Sequence, residues 1–272
     1  MQSSTENVLE LVAVGNAFLN GRDIAGFWPD APTFRWMKTC EFREPPKSGK
    51  DSDDYPLLAA NPVDWFASLK PWCRGLRLHA MTRERGPNQK IDAPDRMLAA
   101  FVGGGPRWLI EAVGDKRSEI WEGFHRLGDR NDPERRIWLV TYIRQGEIDP
   151  AESDPITLET ALPDFQRVLP EIRAYARSEH YDTFADLFAQ ALAALKPHRR
   201  EPHEFLDALQ RYSGMSEDQM GVMEAIMAAS VFGGMGSWND IGGGERYDEL
   251  SERLYNSLND MTAALANSTS RA

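Results

Sequence analysis

Apolar residues recur at helical spacing near the start of the chain, where Val8, Leu11, Val12, Gly15, Phe18 and Leu19 share one stripe. Ser4 or Thr5 can cap this helix, and Gly21 ends it. Alternation of apolar and polar residues then predicts a strand over Phe34 to Phe42, followed by a Pro-, Lys-, Gly- and Asp-rich loop from Glu44 to Asp54. A short helix is expected near Val63 to Leu69, and a second strand over Leu76 to Met81, flanked by Arg74, Arg77, Arg83 and Arg85. Asp92 to Phe101 reads as a helix, with Pro94 in its first turn and Gly103, Gly104 and Gly105 as its stop.

Three strands follow: Arg107 to Val113, Glu119 to Leu127 and Arg135 to Arg144. The tight turn Gly114-Asp115-Lys116-Arg117 joins the first two, and Gly128 to Pro133 joins the second to the third, which predicts an antiparallel β-meander. From Gly146 to Pro155 the chain is acidic, carries two prolines and has no apolar period, as a linker does.

Beyond it helical stripes dominate: Phe165, Val168, Leu169, Ile172 and Tyr175, then Tyr181 to Leu195, then Phe205, Leu206 and Leu209. Pro170 is expected to break or kink the first of these. A helix is expected over Asp218 to Phe232, and the last helix is the most regular, with Tyr247, Leu250, Leu254, Leu258, Met261 and Leu265 three or four residues apart. No repeat of fixed period is present. The expectation is therefore α+β by segregation, with a β-rich α+β domain over residues 1–148, a linker over 146–155 and a helical bundle over 156–268.

Composition sharpens this division. Seven of the eight tryptophans precede residue 150, which suits a pleated surface in the first half. Residues 1–150 hold 21 Lys/Arg against 22 Asp/Glu, whereas residues 151–272 hold 10 against 20. The helical half thus carries a net charge of −10 of the chain's −11, repels nucleic acid and anionic membranes, and attracts a basic protein partner. Solvated acidic faces of an ordinary helical domain would give the same charge.

Cys40 and Cys73 lie far apart in unlike contexts and read as buried, reduced thiols. The first seven residues show no secretory pattern, and apolar runs such as Leu139 to Ile143 or Ala225 to Phe232 are much shorter than the ~20 residues that span a bilayer. Cytoplasmic location without membrane insertion is the expectation. The pattern carries no signal for oligomeric state.

Candidate chemistry is sparse. The chain has no phosphate-cradling Gly-rich loop ending in Gly-Lys-Ser/Thr, no dinucleotide fingerprint, no Cys-x-x-Cys and no His-Glu-x-x-His, so no cofactor or metal is indicated. His203 and Asp207 have i, i+4 spacing but lack a third ligand. The strands with interleaved tryptophan and arginine resemble a base-stacking platform, yet that half is electrically neutral, and nucleic acid is not an expected partner.

Two constellations stand out. Gly233, Gly234, Gly236, Trp238, Asn239 and Asp240 sit in a glycine-rich stretch between two helices, with Gly242, Gly243 and Gly244 beyond. Such a loop allows close backbone approach to a ligand, with Trp238 to stack and Asn239 and Asp240 as polar handles. The alternative is that the glycines end a helix while Trp238 plugs the core and Asp240 caps or bonds backbone. The second constellation is a carboxylate pair. A two-residue turn at Asp115-Lys116 places Glu111 diagonal to Glu122 on one face, where two acids would push one pKa upward, with His125 as a further titratable group. Arg77, Arg107 or Arg136 would instead neutralise a buried glutamate.

Three stretches carry a resemblance: Arg107-Trp108-Leu109-Ile110-Glu111-Ala112-Val113-Gly114, Phe232-Gly233-Gly234-Met235-Gly236-Ser237-Trp238-Asn239-Asp240, and Tyr247 to Tyr255 with Ala266-Asn267-Ser268. On these the chain resembles an uncharacterised family of bacterial proteins with a C-terminal motif running from Phe232 to Asp240. The resemblance implies a bacterial origin and no activity, and carries over no functional residue.

Two functions are therefore in view. One is a cytoplasmic interaction protein, immunity-like or accessory-like, whose acidic helical half docks a partner. The other is a small-molecule-binding protein or hydrolase-type enzyme, with a cleft between the halves near the glycine loop where Glu111, Glu122 and His125 meet Trp238.

Overall fold

The computed structural model describes residues 3–45, 55–81, 94–99, 101 and 104–271. The chain is a mixed α+β protein. Its elements run α1 (Ser3–Leu19), β1 (Met37–Arg43), β2 (Leu57–Ala59), α2 (Pro62–Leu69), β3 (Cys73–Met81), α3 (Asp95–Leu98), β4 (Arg107–Gly114), β5 (Ser118–Leu127) and β6 (Trp138–Ile148). Five helices follow: α4 (Leu158–Ser178), α5 (Asp182–Ala194), α6 (Glu204–Ser213), α7 (Glu217–Ala229) and α8 (Glu245–Asn267). Arg83, Arg85 and Gly103, and most of the expected loop from Glu44 to Asp54, lie outside the described residues.

One six-stranded sheet has the order β2-β1-β6-β5-β4-β3. The strands β3 to β6 are sequential antiparallel neighbours, while β1 lies parallel to β6, which makes the sheet mixed. The expected strand over Phe34 to Phe42 starts later, because Pro32 to Phe34 forms a 3₁₀ turn and Phe34 is buried. Residues 146–148, expected in a linker, extend β6 and pair with Ser118, Glu119 and Ile120. Pro170 does not end α4, which runs unbroken through Pro163 and Pro170. Its buried stripe of Phe165, Val168, Leu169, Ile172 and Ala176 packs on α5 and α8, and that burial outweighs the missing backbone bonds.

The period-2 alternation of the strands assigns the two sheet faces. Cys40, Phe42, Leu76, Leu78, Ile110, Ala112, Trp121, Val140 and Tyr142 form the core face, all essentially without solvent contact. Phe42 stacks between Trp65 of α2, 4.2 Å away, and Tyr142, 5.1 Å away, with Trp121 edge-on to both Phe42 and Trp65. This cluster accounts for two of the tryptophans in the first half.

Helix α1 lies across the core face and is buried on every side from Asn7 to Ala17, because it also contacts α6 and α8. Its close approach to β3 requires Gly15, since a Cβ there would lie 2.4 Å from the Leu76 side chain. Residues 1–148 and 156–268 consequently contribute to one cluster of buried side chains.

β3 is an edge strand, so alternate residues present N–H and C=O groups that no neighbouring strand takes up. Two asparagines stand in for that strand. The Leu76 N–H donates to Asn16 Oδ1 at 2.6 Å, and Asn16 Nδ2 donates back to Leu76 O at 3.0 Å. Asn267, the last residue of α8, does the same for Leu78, at 2.6 and 3.1 Å, and its Nδ2 also reaches Ile156 O at 3.0 Å. Replacing Asn16 or Asn267 by Ala leaves a backbone pair unsatisfied, and each substitution is expected to lower stability in urea unfolding by about 1–3 kcal/mol. Unchanged midpoints would refute the role.

Glu10, inside α1, is fully buried with neither carboxyl oxygen hydrogen-bonded. Burial, with Glu6 one turn away adding repulsion, pushes its pKa up to about 8. Because the folded state binds this proton more tightly than the unfolded chain, stability falls as pH rises between about 4.5 and 8 and levels off above. Glu10→Gln should flatten that slope and raise stability at pH 7 by about 1–3 kcal/mol, read from unfolding curves at several pH values.

Candidate functional site

The turn at Asp115-Lys116 sets the register that positions the two glutamates. Gly114 N–H donates to Arg117 O at 2.9 Å, Glu111 stands opposite Ile120, and Glu122 stands opposite Leu109. The two carboxylates are therefore diagonal neighbours on the face away from α1. Each bonds to partners of its own. Glu122 accepts a two-pronged bond from Arg107, Nε at 2.8 Å and Nη2 at 2.6 Å.

Glu111 is fully buried because the segment after β6 crosses over it and its Ser153 Oγ donates to Oε2 at 2.5 Å. His79 Nε2 lies 2.9 Å from the same oxygen. Burial pushes this carboxyl up, but the hydrogen bonds from His79 and Ser153, with Ser118 alongside, prevail and hold it below its ordinary value. The upward shift expected of a shared-proton pair is thus absent at Glu111. It is an ionised anchor for the chain crossing the sheet.

His125 is not brought to these acids. Ile120, Glu122 and Phe124 alternate with Trp121, Gly123 and His125, so His125 points to the opposite face. Burial lowers its pKa, leaving a neutral ring whose Nε2 has no hydrogen-bond partner. Both cysteines are buried, and burial pushes the Cys73 thiol up to about 12, so neither supplies a thiolate nucleophile. His203 and Asp207 are used at the start of α6: His203 Nδ1 accepts from the Leu206 N–H, and Asp207 pairs with Arg200 at 2.7 Å. Among the described residues no group of three or more His, Cys, Asp or Glu could hold a metal ion.

The glycine-rich stretch follows α7. Gly236 needs the left-handed region, with φ near +81°, and its N–H donates to Asp240 Oδ2 at 2.5 Å, closing the loop on itself. Trp238 is completely buried, boxed by Tyr175, Tyr181, Phe184, Phe188 and Tyr247, with ring centroids 5.2–6.4 Å away. Its indole N–H donates to Ser251 Oγ at 2.7 Å, and the Tyr247 hydroxyl donates to its carbonyl. Trp238 is a core plug, with no open face for a ligand. The ring neighbours of Trp238 come from α4, α5 and α8, while Glu111 and Glu122 bond to residues of the sheet and its crossover, so the expected meeting of these residues does not occur.

Asn239 does something the sequence does not advertise. Its Nδ2 donates to Arg96 O at 2.8 Å, and the buried Arg96 guanidinium reaches Asp248 at 2.6 Å and Glu252 at 3.5 Å while lying 5.6 Å from the Tyr247 ring. Arg96 thereby ties α3 to the glycine loop and to α8. Three large apolar side chains on the segments that meet here are exposed. Phe101, one turn beyond Leu98, is 67% exposed, Met97 projects from α3, and Met235, held between glycines, is fully exposed.

Beside the joint a groove opens between the halves. Thr5, Ala99 and Pro106 line one side, and Ser230, Phe232, Tyr255, Leu258, Asn259 and Thr262 the other. Of the positions singled out from the sequence, none of Glu111, Glu122, His125, Gly233, Gly234, Gly236, Trp238, Asn239 or Asp240 lines it. The missed signal was in α8, where Asp248, Glu252, Tyr255, Asn259 and Thr262 form a second stripe that looks like a solvated face.

No protein-family model matches the chain, and neither the curated proteins nor the solved structures include a significant match.

If Trp238 is a plug, Trp238→Ala should cost about 3–5 kcal/mol in thermal or chemical unfolding. Loss below about 1 kcal/mol would return the indole to the ligand-binding reading.

Proposed function

We propose that this is an interaction protein, immunity-like or accessory-like, that docks a basic protein partner on its acidic helical half. The observation that carries the reading is the exposed apolar set Met97, Phe101 and Met235 around the Arg96 joint. Large apolar side chains left exposed, with no covering element among the described residues, mark interaction sites. Met235 is the sharpest case: its own fold makes no use of the side chain, and the flanking glycines hold it clear of the body. A flexible thioether suits adaptable contact with a partner.

Charge supplies the partner's chemistry. Residues 201–272 hold 12 Asp/Glu against 4 Lys/Arg, and Asp248 and Glu252 remain about half exposed beside the single positive charge of Arg96. A basic protein is drawn to such a surface over roughly a Debye length, ~10 Å in 0.1 M salt. A catalytic reading has less support, because Glu111 and Glu122 are both committed to hydrogen-bonded partners of structural kind.

The test is co-precipitation from cells with tagged protein, comparing the natural chain with Phe101→Asp and Met235→Asp. The expected partner is basic, is released as salt rises, and binds each variant about 10- to 100-fold more weakly while the variants' circular dichroism and melting temperature hold. Equal recovery on the variants, or a partner indifferent to salt, would sink the proposal.

A further inference from the structure

The connection between α5 and α6 is held down at two points of different chemistry. Toward α6, Arg200 Nη1 donates to Asp207 Oδ1 and Nη2 donates to Gln210 Oε1, both at 2.7 Å. A guanidinium keeps its charge throughout the physiological range, so this tie is indifferent to pH. Toward α5, the connection is held by His198, whose ring lies between two acceptors. The Lys196 carbonyl oxygen is 2.9 Å from Nδ1, and Glu224 Oε2, on α7, is 2.6 Å from Nε2. Gly221, one turn before Glu224, makes room for this arrangement. A Cβ there would meet the Ala194 carbonyl oxygen at 2.7 Å and His198 Cε1 at 4.0 Å, so glycine lets α7 pass close to the end of α5 and brings Glu224 to the imidazole.

A neutral imidazole carries one N–H and satisfies one of these acceptors; the imidazolium carries two and satisfies both. The charges around the ring act in opposite senses. Glu224, 19% exposed, favours the charged form, Arg200 of the connection opposes it, and Arg200 is itself offset by Asp207 of α6. α5 meets the site through the uncharged Ala194 carbonyl. The hydrogen bonds to the Lys196 carbonyl and to Glu224 prevail and hold the His198 pKa above its ordinary 6.5. The folded state therefore binds this proton more tightly than the unfolded chain does, so the contact is complete below pH 6.5 and is lost as pH rises through the raised value.

We infer that His198 is a proton-operated clasp: as an imidazolium it pins the α5–α6 connection to α7, and on losing its proton it frees residues 195–199 while Arg200 keeps the far end on α6. The exposed cations Lys196 and Arg199 ride on the freed stretch, so the proton decides whether they hold fixed places on the acidic half. Met97, Phe101 and Met235 take no part in it.

The test follows the full chain by NMR and by amide hydrogen exchange. The His198 ring resonances, assigned through the residue's own backbone, should titrate with a midpoint above 6.5. Glu224→Gln, which keeps an acceptor and removes the charge, should lower that midpoint. Exchange of the amides of residues 195, 196, 198 and 199, divided by the intrinsic rate at each pH, should quicken several-fold as the ring loses its proton. His198→Gln, which cannot titrate, should lose this step. Amides of α6 are the internal control, because Glu10 changes the stability of the whole fold in an overlapping pH range and would move all helices together. A midpoint at or below 6.5, a midpoint that Glu224→Gln leaves in place, or a step that persists in His198→Gln or is shared by α6 would overturn the assignment. The titration and the exchange of the natural chain decide the matter even where a variant fails to fold.

Discussion

The unpaired edge of β3 is the constraint around which the rest of the structure is arranged. A buried strand edge must have its N–H and C=O groups answered, or each carries the full cost of its lost water. Here the answers come from the two ends of the chain: Asn16 in α1 and Asn267 at the end of α8. Because each asparagine makes a pair of bonds to one residue, it fixes both position and orientation of its helix against the sheet. Thr269 adds a bond to Asn16, closing the two termini on each other at 2.9 Å. A helix placed this way is enclosed by sheet on one side and helices on the other, which is why α1 is mostly apolar and why its one fully buried carboxyl group, Glu10, must hold its proton.

With α1 and α8 fixed, the surface between them is fixed too. The groove takes Thr5 from the first helix and Tyr255, Leu258, Asn259 and Thr262 from the last, two helices that the asparagine clamps hold near their C-terminal ends. Its remaining wall needs α3, a helix of four residues that cannot hold itself in place. Arg96 does so by bonding backward through Asn239 and forward to Asp248 and Glu252. A buried guanidinium needs such company to be tolerated at all, and the company is drawn from the glycine-rich loop and from α8. The glycine-rich loop is part of this joint: its Trp238 anchors it among the helices, its Asn239 grips α3, and its tip at Met235 faces outward.

How much of this the sequence displays depends on whether the determining contact is local. The two-residue turn at Asp115-Lys116 fixes register by itself, so the diagonal relation of Glu111 and Glu122 could be read from spacing alone. The same period-2 rule separates His125 from Glu122, three residues away, and grouping them overlooked that parity. The stripe of α8 is legible because it repeats over six turns. By contrast, the parallel pairing of β1 with β6 joins segments about 100 residues apart and leaves no local trace. Asn16, Asn267 and Arg96 look like ordinary surface residues, because their partners are backbone atoms or acids distant in the chain. Pro170 misleads in the other direction: a strong local breaker signal is overruled by the packing of the surrounding stripe.

The same distinction bears on function. Four of the titratable groups that looked chemical in isolation, Glu111, Glu122, His203 and Asp207, prove to be spent on holding segments together, each with a hydrogen-bonding partner that explains its presence, while His125 is turned to the opposite face. What the fold leaves unspent is of another kind: a fully exposed methionine on a glycine-flanked loop, a largely exposed phenylalanine and an acidic surface. Groups that a protein's own folding has already used are poor evidence for activity. Surface that folding has left apolar to water points to something that binds there, and in this molecule it lies on the segments that the Arg96 joint ties together.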